Sequence, residues 1–256
     1  MIPSDPIFYI IGLTAVFIIA FGKGAFGGGL AMLGVPLLSI VMHPMDAAIV
    51  VAPIAVLTDV FAIGNTRLST ASKPDVIWLV PPILIGLVLG YVFFVMIDPE
   101  IVSVGIGIVT FVFAADWFIR GRRKQATGER PLSPVLATIS GATFGFTSFI
   151  AHSGAPILSA YLLHRGLNKT LYVGTSVVIY GLVNILKAFP YLWIALARPQ
   201  LILEILLLAL AVPVGIWFGT YFHDRVDQQR LIFWCYVICL AASAKLLFDT
   251  SRVFMF

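Results

Sequence analysis

Two glycine- and proline-rich breaks constrain the fold of this chain more than any other feature. The first covers residues 21–36 and lies inside an apolar run that extends over residues 7–42, and the second covers residues 140–156. A break in a lipid-facing helix leaves backbone N–H and C=O groups without water, at a cost of several kcal/mol for each group. We therefore expect both breaks to line a cavity inside the protein.

The rest of the sequence is too apolar for a water-soluble domain. Of the 256 residues, 60% are hydrophobic and 11% are charged, and the mean hydropathy is +1.04; soluble domains are usually about half apolar. The composition predicts an all-α polytopic membrane protein, placed in the cell (inner) membrane and surrounded by the lipid bilayer. The net charge of +4 is concentrated in short loops, so we interpret it as a topology signal and expect no nucleic acid partner.

The two breaks belong to an internal repeat. The motif Gly34-Val-Pro-Leu-Leu-Ser39 corresponds to Gly154-Ala-Pro-Ile-Leu-Ser159. Farther along, Gly86-x-x-x-Gly90 corresponds to Gly215-x-x-x-Gly219. We interpret these later glycines as positions where helices pack closely. Internal similarity over this length is typical of duplicated transporter units.

The basic loops indicate the orientation of the two repeats, residues 1–125 and 126–256. Lys and Arg near membrane ends are retained on the cytoplasmic side, and the strongest basic cluster covers residues 120–130. With this loop inside, counting the apolar segments places both chain termini outside. Each repeat then has about five helical segments, and an odd number requires opposite orientations. The prediction is two inverted repeats that together form one transport domain.

The first segment of each repeat is predicted to be broken or re-entrant. Residues 7–21 would form a helix of about 22 Å, which is shorter than the hydrocarbon core of roughly 30 Å. This stretch is therefore interpreted as a half-helix or a strongly tilted crossing.

The breaks also indicate a binding site. In transporters built from inverted repeats, the substrate site is expected near the membrane midplane, where broken helices of both repeats meet. If helices begin at Pro36 and Pro156, each start contributes unpaired N–H groups and about half a positive charge, which favours an anion. Glycines at positions 27, 28 and 29 would let the backbone approach it.

Polar residues in and after the breaks are further candidates. His152 could donate to an oxyanion or be a satisfied packing residue, and Lys23 could face the substrate or extend to the cytoplasmic interface. Asp59 is a candidate for proton coupling or the partner of a neighbouring donor. The candidate substrate-binding residues are Lys23, Gly27, Gly28, Gly29, Pro36, Ser148, His152, Ser153, Gly154, Thr175, Ser176, Asn184 and Lys187.

Several motifs at the breaks match a known pattern. In the first repeat they are residues 24–36 followed by Leu37-Leu38, and in the second they are residues 141–156, Leu167-Asn-Lys169 and Gly174-Thr-Ser176. With these motifs the sequence resembles the sulfite exporter TauE/SafE family of membrane permeases. The resemblance implies export or uptake of sulfite, sulfonates such as sulfoacetate, or related organosulfur anions.

The main functional prediction is a secondary transporter of such anions that works by alternating access. An anion channel is one alternative, although no charged ring-forming segment is present. An accessory membrane protein that binds a partner is another, although it would not need two matched breaks. An enzyme is not expected, because the sequence has no His-rich, paired-carboxylate or nucleophile constellation. We expect no cofactor and no metal, and association into a homo-oligomer stays open.

Overall fold

The computed structural model describes residues 6–26, 31–63, 71–120, 129–222 and 228–253, and every regular element in this part is helical. The prediction of an all-α polytopic membrane protein is confirmed, because seven helices of the described part are long and apolar enough to cross a membrane.

In the first half, the helices are α1 (Pro6–Phe26), a 3₁₀ turn (Ala31–Leu33), α2 (Gly34–Leu38), α3 (Pro44–Ile63), α4 (Lys73–Met96) and α5 (Pro99–Arg120). In the second half, they are α6 (Pro134–Ala151), α7 (Ala155–Arg165), α8 (Lys169–Leu196), α9 (Pro199–Ala209), α10 (Ala211–Phe222) and α11 (Gln228–Val253). Counted together, α9 and α10 form one of the seven apolar spans.

The first helix is longer than the sequence estimate. That estimate ended the helix at Phe21, whereas α1 has 21 residues and continues to Phe26, giving a length of about 31 Å. Gly24 lies inside this extension, and a Cβ there would be 2.5 Å from the carbonyl oxygen of Ile216 in α10. The glycine thus allows close packing within a continuing helix. Residues 27–30, in the middle of the predicted first break, lie outside the described residues.

The second broken segment starts and ends on the same side of the molecule. α6 ends at Ala151, and α7 runs back from Ala155 to Arg165. The backbone N–H of Arg130, which precedes α6, donates to the carbonyl of Arg165 at a distance of 2.9 Å. The two ends of this helical hairpin therefore lie side by side, as expected for a re-entrant segment.

The helices of the two halves pair reciprocally. α4 packs on α6, and α10 packs on α1, so the fourth segment of each half contacts the first segment of the other half. In addition, α3 packs against α8 and α5 packs against α11, so each of these helices contacts its own counterpart. This pairing fits a duplicated unit, while the opposite orientation of the two repeats stays a prediction.

The two Gly-x-x-x-Gly motifs lie at the closest of these contacts. A Cβ at Gly86 would be 2.1 Å from the carbonyl oxygen of Ala142, and a Cβ at Gly219 would be 2.3 Å from that of Phe21. The other two glycines of the motifs would each place a Cβ 2.7 Å from a neighbouring Cβ. No side chain fits at these distances, so the interpretation as packing glycines is confirmed.

A buried polar network holds the end of α7 against α4. The carboxylate of Asp75 is fully buried and accepts hydrogen bonds from Arg165 Nε at 2.8 Å and the Tyr161 hydroxyl at 2.7 Å. The Ser72 hydroxyl donates to the same carboxylate at 2.6 Å, and the Ser72 backbone N–H donates to Thr175 Oγ1 at 2.9 Å. A buried carboxylate is tolerated when it is paired and hydrogen-bonded in this way. The network therefore joins α4, α7 and α8 at one end of the molecule.

Candidate functional site

A small buried cavity lies where α1, α3, α6, α7 and α8 meet, with a volume of about 40 Å³. Six of the predicted substrate-binding residues line it, together with the coupling candidate Asp59: Lys23, Ser148, His152, Gly154, Asn184 and Lys187. The remaining lining residues are Ile19, Ala55, Thr58, Ala155 and Tyr180. The structure thus brings residues from both breaks and from two full-length helices to one place.

The cavity lies near the middle of α8, the longest of the described helices. At this level the side chain of Asn184 contacts Asp59 of α3. Nearer to the end of α8, Arg198 contacts Asp46 at the start of α3, so the two helices run antiparallel. On α1 and α3 the cavity residues lie nearer to the helix ends, with Lys23 in the last turn of α1, so the expected site at the membrane midplane stays a prediction.

One side of the cavity is formed by the ion pair of Lys23 and Asp59, to which the side-chain amide of Asn184 is hydrogen-bonded. The ammonium of Lys23 contacts the carboxylate of Asp59, and the side-chain N–H of Asn184 donates to the other carboxylate oxygen at 2.6 Å. The Lys23 Nζ also lies 5.6 Å from the ring centroid of Tyr180, within the range of a cation–π contact. The side chains of Lys23 and Asp59 are only 10% and 7% exposed, so each charge is neutralised mainly by the other.

Another part of the cavity wall is formed by a second lysine, Lys187, which is 2% exposed. Its Nζ lies 2.7 Å from Nδ1 of His152, 3.2 Å from the carbonyl oxygen of Ser148 and 3.4 Å from the Ser148 hydroxyl. These three neutral groups match the three N–H donors of an ammonium group. Among the described residues, therefore, the amine of Lys187 is buried in the cavity wall without a carboxylate in contact.

The two hydrogen-bond partners of the His152 ring indicate which ring nitrogen carries the hydrogen. Nε2 lies 3.1 Å from the carbonyl oxygen of Ala48, which can only accept, so we assign the hydrogen to Nε2. Nδ1 faces the ammonium of Lys187 and therefore accepts, which makes the ring neutral. His152 is also the non-glycine residue with a positive φ in the described part of the chain, at 53°. Such a backbone is held by its surroundings and is frequent at functional sites.

The N-terminus of α7 opens into the cavity. Gly154 and Ala155 line it, while the N–H groups of Ile157 and Leu158 bond to the carbonyl of Gly154. The N–H groups that precede these first bonds lie at the positive end of the helix dipole. A Cβ at Gly154 would be 2.6 Å from the Phe144 ring, so glycine is required here for packing as well.

Three other predicted residues do not line the cavity. Pro36 is buried inside the five-residue α2. The buried hydroxyl of Ser153 donates to the carbonyl of Ala151 at 3.0 Å. Thr175 is bonded to the Ser72 backbone, and its twelve-residue separation from the cavity residue Lys187 corresponds to about 18 Å along α8.

The four remaining candidates are Ser176 and the glycines at positions 27, 28 and 29. Ser176 follows Thr175 on α8 and is absent from the cavity lining. Gly27, Gly28 and Gly29 lie outside the described residues, so their part in the site stays a prediction.

Aromatic side chains close the cavity toward the end of α8. The Tyr191 ring stacks on His152 with a centroid distance of 5.6 Å and on Phe149 with a distance of 4.7 Å. Its hydroxyl donates to the carbonyl of Phe149, and Phe94 packs edge-on against it at 5.3 Å. In the opposite direction, α7 leads to the buried network around Asp75. Packed side chains therefore lie on both sides of the cavity.

Sequence reasoning missed the two tyrosines of α8 that flank the charged residues. Tyr180, Asn184, Lys187 and Tyr191 follow each other at spacings of four, three and four residues. Residues at these spacings share one face of a helix. This periodicity could have identified both tyrosines once Asn184 and Lys187 were candidates.

The seven long apolar helices of the described part define a multi-pass membrane protein. The chain matches the model of the family described as sulfite exporter TauE/SafE over residues 12–246. It therefore belongs to the sulfite exporter TauE/SafE family, and the resemblance found at the two breaks is confirmed. Neither the comparison with curated proteins nor that with solved structures gives a match.

Proposed function

We propose that this protein is a secondary transporter that binds a small sulfur oxyanion in the cavity and moves it across the membrane by alternating access. The ligand would be sulfite or the sulfonate group of a molecule such as sulfoacetate. The observation that carries the proposal is the charge of the cavity wall. Lys23 and Lys187 supply two basic groups and Asp59 one acidic group, so the wall has one basic group in excess that an anion can pair with.

The size of the cavity supports a small ligand. A volume of about 40 Å³ has room for about three water molecules. Three waters occupy roughly the space of the three oxygens of a sulfite or sulfonate group. The carbon part of a larger sulfonate would have to extend into a pathway that opens during transport. A neutral sugar is both larger and without the charge that this wall favours.

Lys187 is the residue best placed to bind the anion. Its Nζ contacts only neutral groups of Ser148 and His152 among the described residues, and a bound oxyanion would give it a charged partner. The N–H groups at the start of α7 lie at the same cavity and would add donors. His152 uses Nε2 for Ala48 and Nδ1 for Lys187, so its role would be to position Lys187.

The packing on both sides of the cavity favours a carrier over an anion channel. The aromatic cluster around Tyr191 lies on one side, and the Asp75 network lies in the opposite direction. A carrier exposes its site to one side at a time, and such a cycle includes states that are closed on both sides. An open pore would instead need a continuous path past these residues.

Binding to the purified protein tests the proposed function. Isothermal titration should show that sulfite binds, while choline and a neutral sugar do not. In Lys187→Gln the affinity for sulfite should fall more than about tenfold, because a hydrogen bond to a charged group contributes about 1.5–3 kcal/mol. Lys245→Gln is the matched control, since this lysine is exposed and pairs with Asp249 on the same helix. Unchanged sulfite affinity in a folded Lys187→Gln protein would contradict the proposed site.

A further inference from the structure

We propose that the buried ion pair of Asp75 and Arg165 is a gate that closes one path to the cavity, and that the gate opens when Arg165 exchanges Asp75 for Glu129. The inference goes beyond the proposed function, because it concerns the path to the cavity and not the anion. It takes from the proposed function only that the cavity opens to each side of the membrane in turn.

Helix α7 connects the cavity to this ion pair. Its first residue, Ala155, lines the cavity, and its last residue is Arg165. The separation of ten residues corresponds to about 15 Å along the helix. A displacement of α7 therefore changes the cavity wall at one end of the helix and the ion pair at the other end.

Mainly side chains hold α7 to α4. Among the described helices, α7 packs along α6 and α8, and α4 packs closely on α6. Arg165 Nε lies 2.8 Å from one carboxylate oxygen of Asp75, and Nη2 lies 3.3 Å from the other. The Tyr161 hydroxyl adds a third hydrogen bond to this carboxylate. The end of α7 can thus leave α4 by losing these bonds, while the glycine contacts between α4 and α6 stay intact.

The guanidinium of Arg165 is only partly satisfied in the closed state. It offers five N–H donors. Nη1 is buried without a hydrogen-bond partner in the part of the chain that the structure describes, and Nη2 lies 3.5 Å from a carboxylate oxygen of Glu129. A buried donor without a partner raises the free energy of the state that contains it. The closed state is therefore held by the ion pair with Asp75, but not by every donor of Arg165.

Glu129 is a second carboxylate partner that lies at the surface. Its side chain is 61% exposed, whereas the side chains of Arg165 and Asp75 are 6% and 0% exposed. By turning to Glu129, the guanidinium moves from a buried position to a wet one and keeps a charged partner. Water that enters the opened path solvates Asp75, which also keeps the Ser72 hydroxyl as a donor. The exchange thus leaves neither charge buried without a partner.

The ion pair lies at the end of the molecule that carries the basic loop of residues 120–130. Arg130, the last residue of this loop, donates its backbone N–H to the carbonyl of Arg165. With the loop on the cytoplasmic side, as predicted, the gate closes the cytoplasmic path. The aromatic cluster around Tyr191 lies toward the other end and would close the second path.

Access to a cysteine in the cavity tests the gate. Thr58→Cys places a thiol in the cavity wall on α3, in a protein whose Cys235 and Cys239 are replaced by alanine. An impermeant methanethiosulfonate is added to vesicles from one side or from the other, and the rate of labelling is measured without sulfite. His164→Cys, at an exposed position next to Arg165, identifies the side of the membrane on which the gate lies.

The double change Asp75→Asn and Arg165→Gln weakens the gate and leaves no unpaired charge buried. We expect labelling of Thr58→Cys to become at least about tenfold faster from the gate side, because charge-assisted hydrogen bonds of the closed state are lost. Labelling from the opposite side should not become faster. Arg198→Gln is the matched control: it removes the pair with Asp46 at the other end of α8 and should leave labelling from the gate side unchanged.

Glu129→Gln tests the exchange of partners. This change removes the partner of Arg165 in the open state and leaves the contacts of Asp75 in place. Labelling from the gate side should become at least about threefold slower, because one hydrogen bond of the open state is weakened. A purely structural network would not respond in this direction, and an unchanged or faster rate in Glu129→Gln would overturn the exchange.

Melting curves establish that each variant is folded. Should the double variant fail to fold, Tyr161→Phe provides the second test. It removes one hydrogen bond to Asp75, and labelling from the gate side should become at least about threefold faster.

The outcomes separate this inference from the proposed function. Unchanged labelling from the gate side in the folded double variant would overturn the gate. Equally faster labelling from both sides would also overturn it, because it would show a general loosening of the protein. Labelling is measured without sulfite, so these results leave the anion site untouched, and a failure of sulfite to bind would not alter them.

Discussion

At the scale of single residues, His152 has the most unusual environment in the described part of the chain. Its backbone lies in the left-handed region. Its Nε2 donates a hydrogen bond to the carbonyl of Ala48, and its Nδ1 accepts a hydrogen bond from Lys187. The ring also stacks on Tyr191. These contacts fix the ring in one orientation, and the ring in turn fixes the position of the Lys187 charge at the cavity.

Replacing His152 should therefore weaken anion binding through Lys187. In His152→Ala the ammonium loses its shortest contact, at 2.7 Å, and we expect sulfite affinity to fall more than about tenfold, or about 1.5–3 kcal/mol. Calorimetric titration measures the change. His164→Ala is the control, because His164 is exposed and contacts Arg130 at the end of α7. An affinity equal to the wild type in His152→Ala would show that Lys187 does not need this partner.

At the scale of helices, close packing between the halves depends on glycine. α4 approaches α6, and α10 approaches α1, near enough that backbone atoms of one helix occupy the space of a Cβ on the other. In membranes, where lipid is as apolar as the side chains, such packing is a main source of helix association. α4 also carries Asp75, which pairs with Arg165 at the end of α7, so the contact of α4 with α6 also helps to place the buried network.

Substituting one of these glycines should destabilise the protein. A Cβ at Gly86 would be 2.1 Å from a backbone carbonyl of α6, which cannot move away as a flexible side chain could. We expect Gly86→Ala to lower the melting temperature or the yield of folded protein in detergent. Gly181→Ala is the matched control, because a Cβ there meets nothing within 4 Å, and alanine favours a helix over glycine by up to about 1 kcal/mol. Equal melting temperatures for the two variants would contradict the role of Gly86 in packing.

At the scale of the whole molecule, the reciprocal pairing of helices suits a duplicated unit. The first segment of each half packs on the fourth segment of the other, and the cavity lies where the two broken segments meet α3 and α8. In the proposed transport cycle, the broken segments would move relative to α3 and α8 and so change the access to the cavity. This is how alternating access operates in transporters built from repeats.

Labelling of single cysteines tests the predicted orientation. With both chain termini outside in the cell (inner) membrane, Asp98→Cys should react with an impermeant reagent added from outside. A cysteine placed in residues 223–227 should be protected until the membrane is opened, because inversion places the matching turns of the two repeats on opposite sides. His164→Cys serves as a second inside position. If the cysteines at Asp98 and in residues 223–227 react from the same side, the predicted inversion of the two repeats is wrong.

Local patterns in the sequence were sufficient to predict the membrane-crossing helices, the family and several of the cavity residues. Long apolar runs specify membrane-crossing helices because each backbone group must be bonded within its own segment. The matched motifs at Pro36 and Pro156 revealed the repeat, and the family follows from the same motifs. Ionisable residues in apolar segments were identified as candidates because charge at that depth is costly. That is why Lys23, Asp59 and Lys187 were recognised before any contact was known.

Only the tertiary structure decided how these residues are combined. Asp59 and Asn184 are 125 positions apart, and no local pattern states that Lys23 pairs with Asp59 while Lys187 lies against His152. The structure also placed Thr175 in the Asp75 network, away from the cavity. The physical reason is that the apolar pattern acts within each helix, whereas the pairing of charges depends on which helices pack together. The sequence alone thus supplied the charged groups, and the packing of α1, α3, α6 and α8 created the cavity that they line.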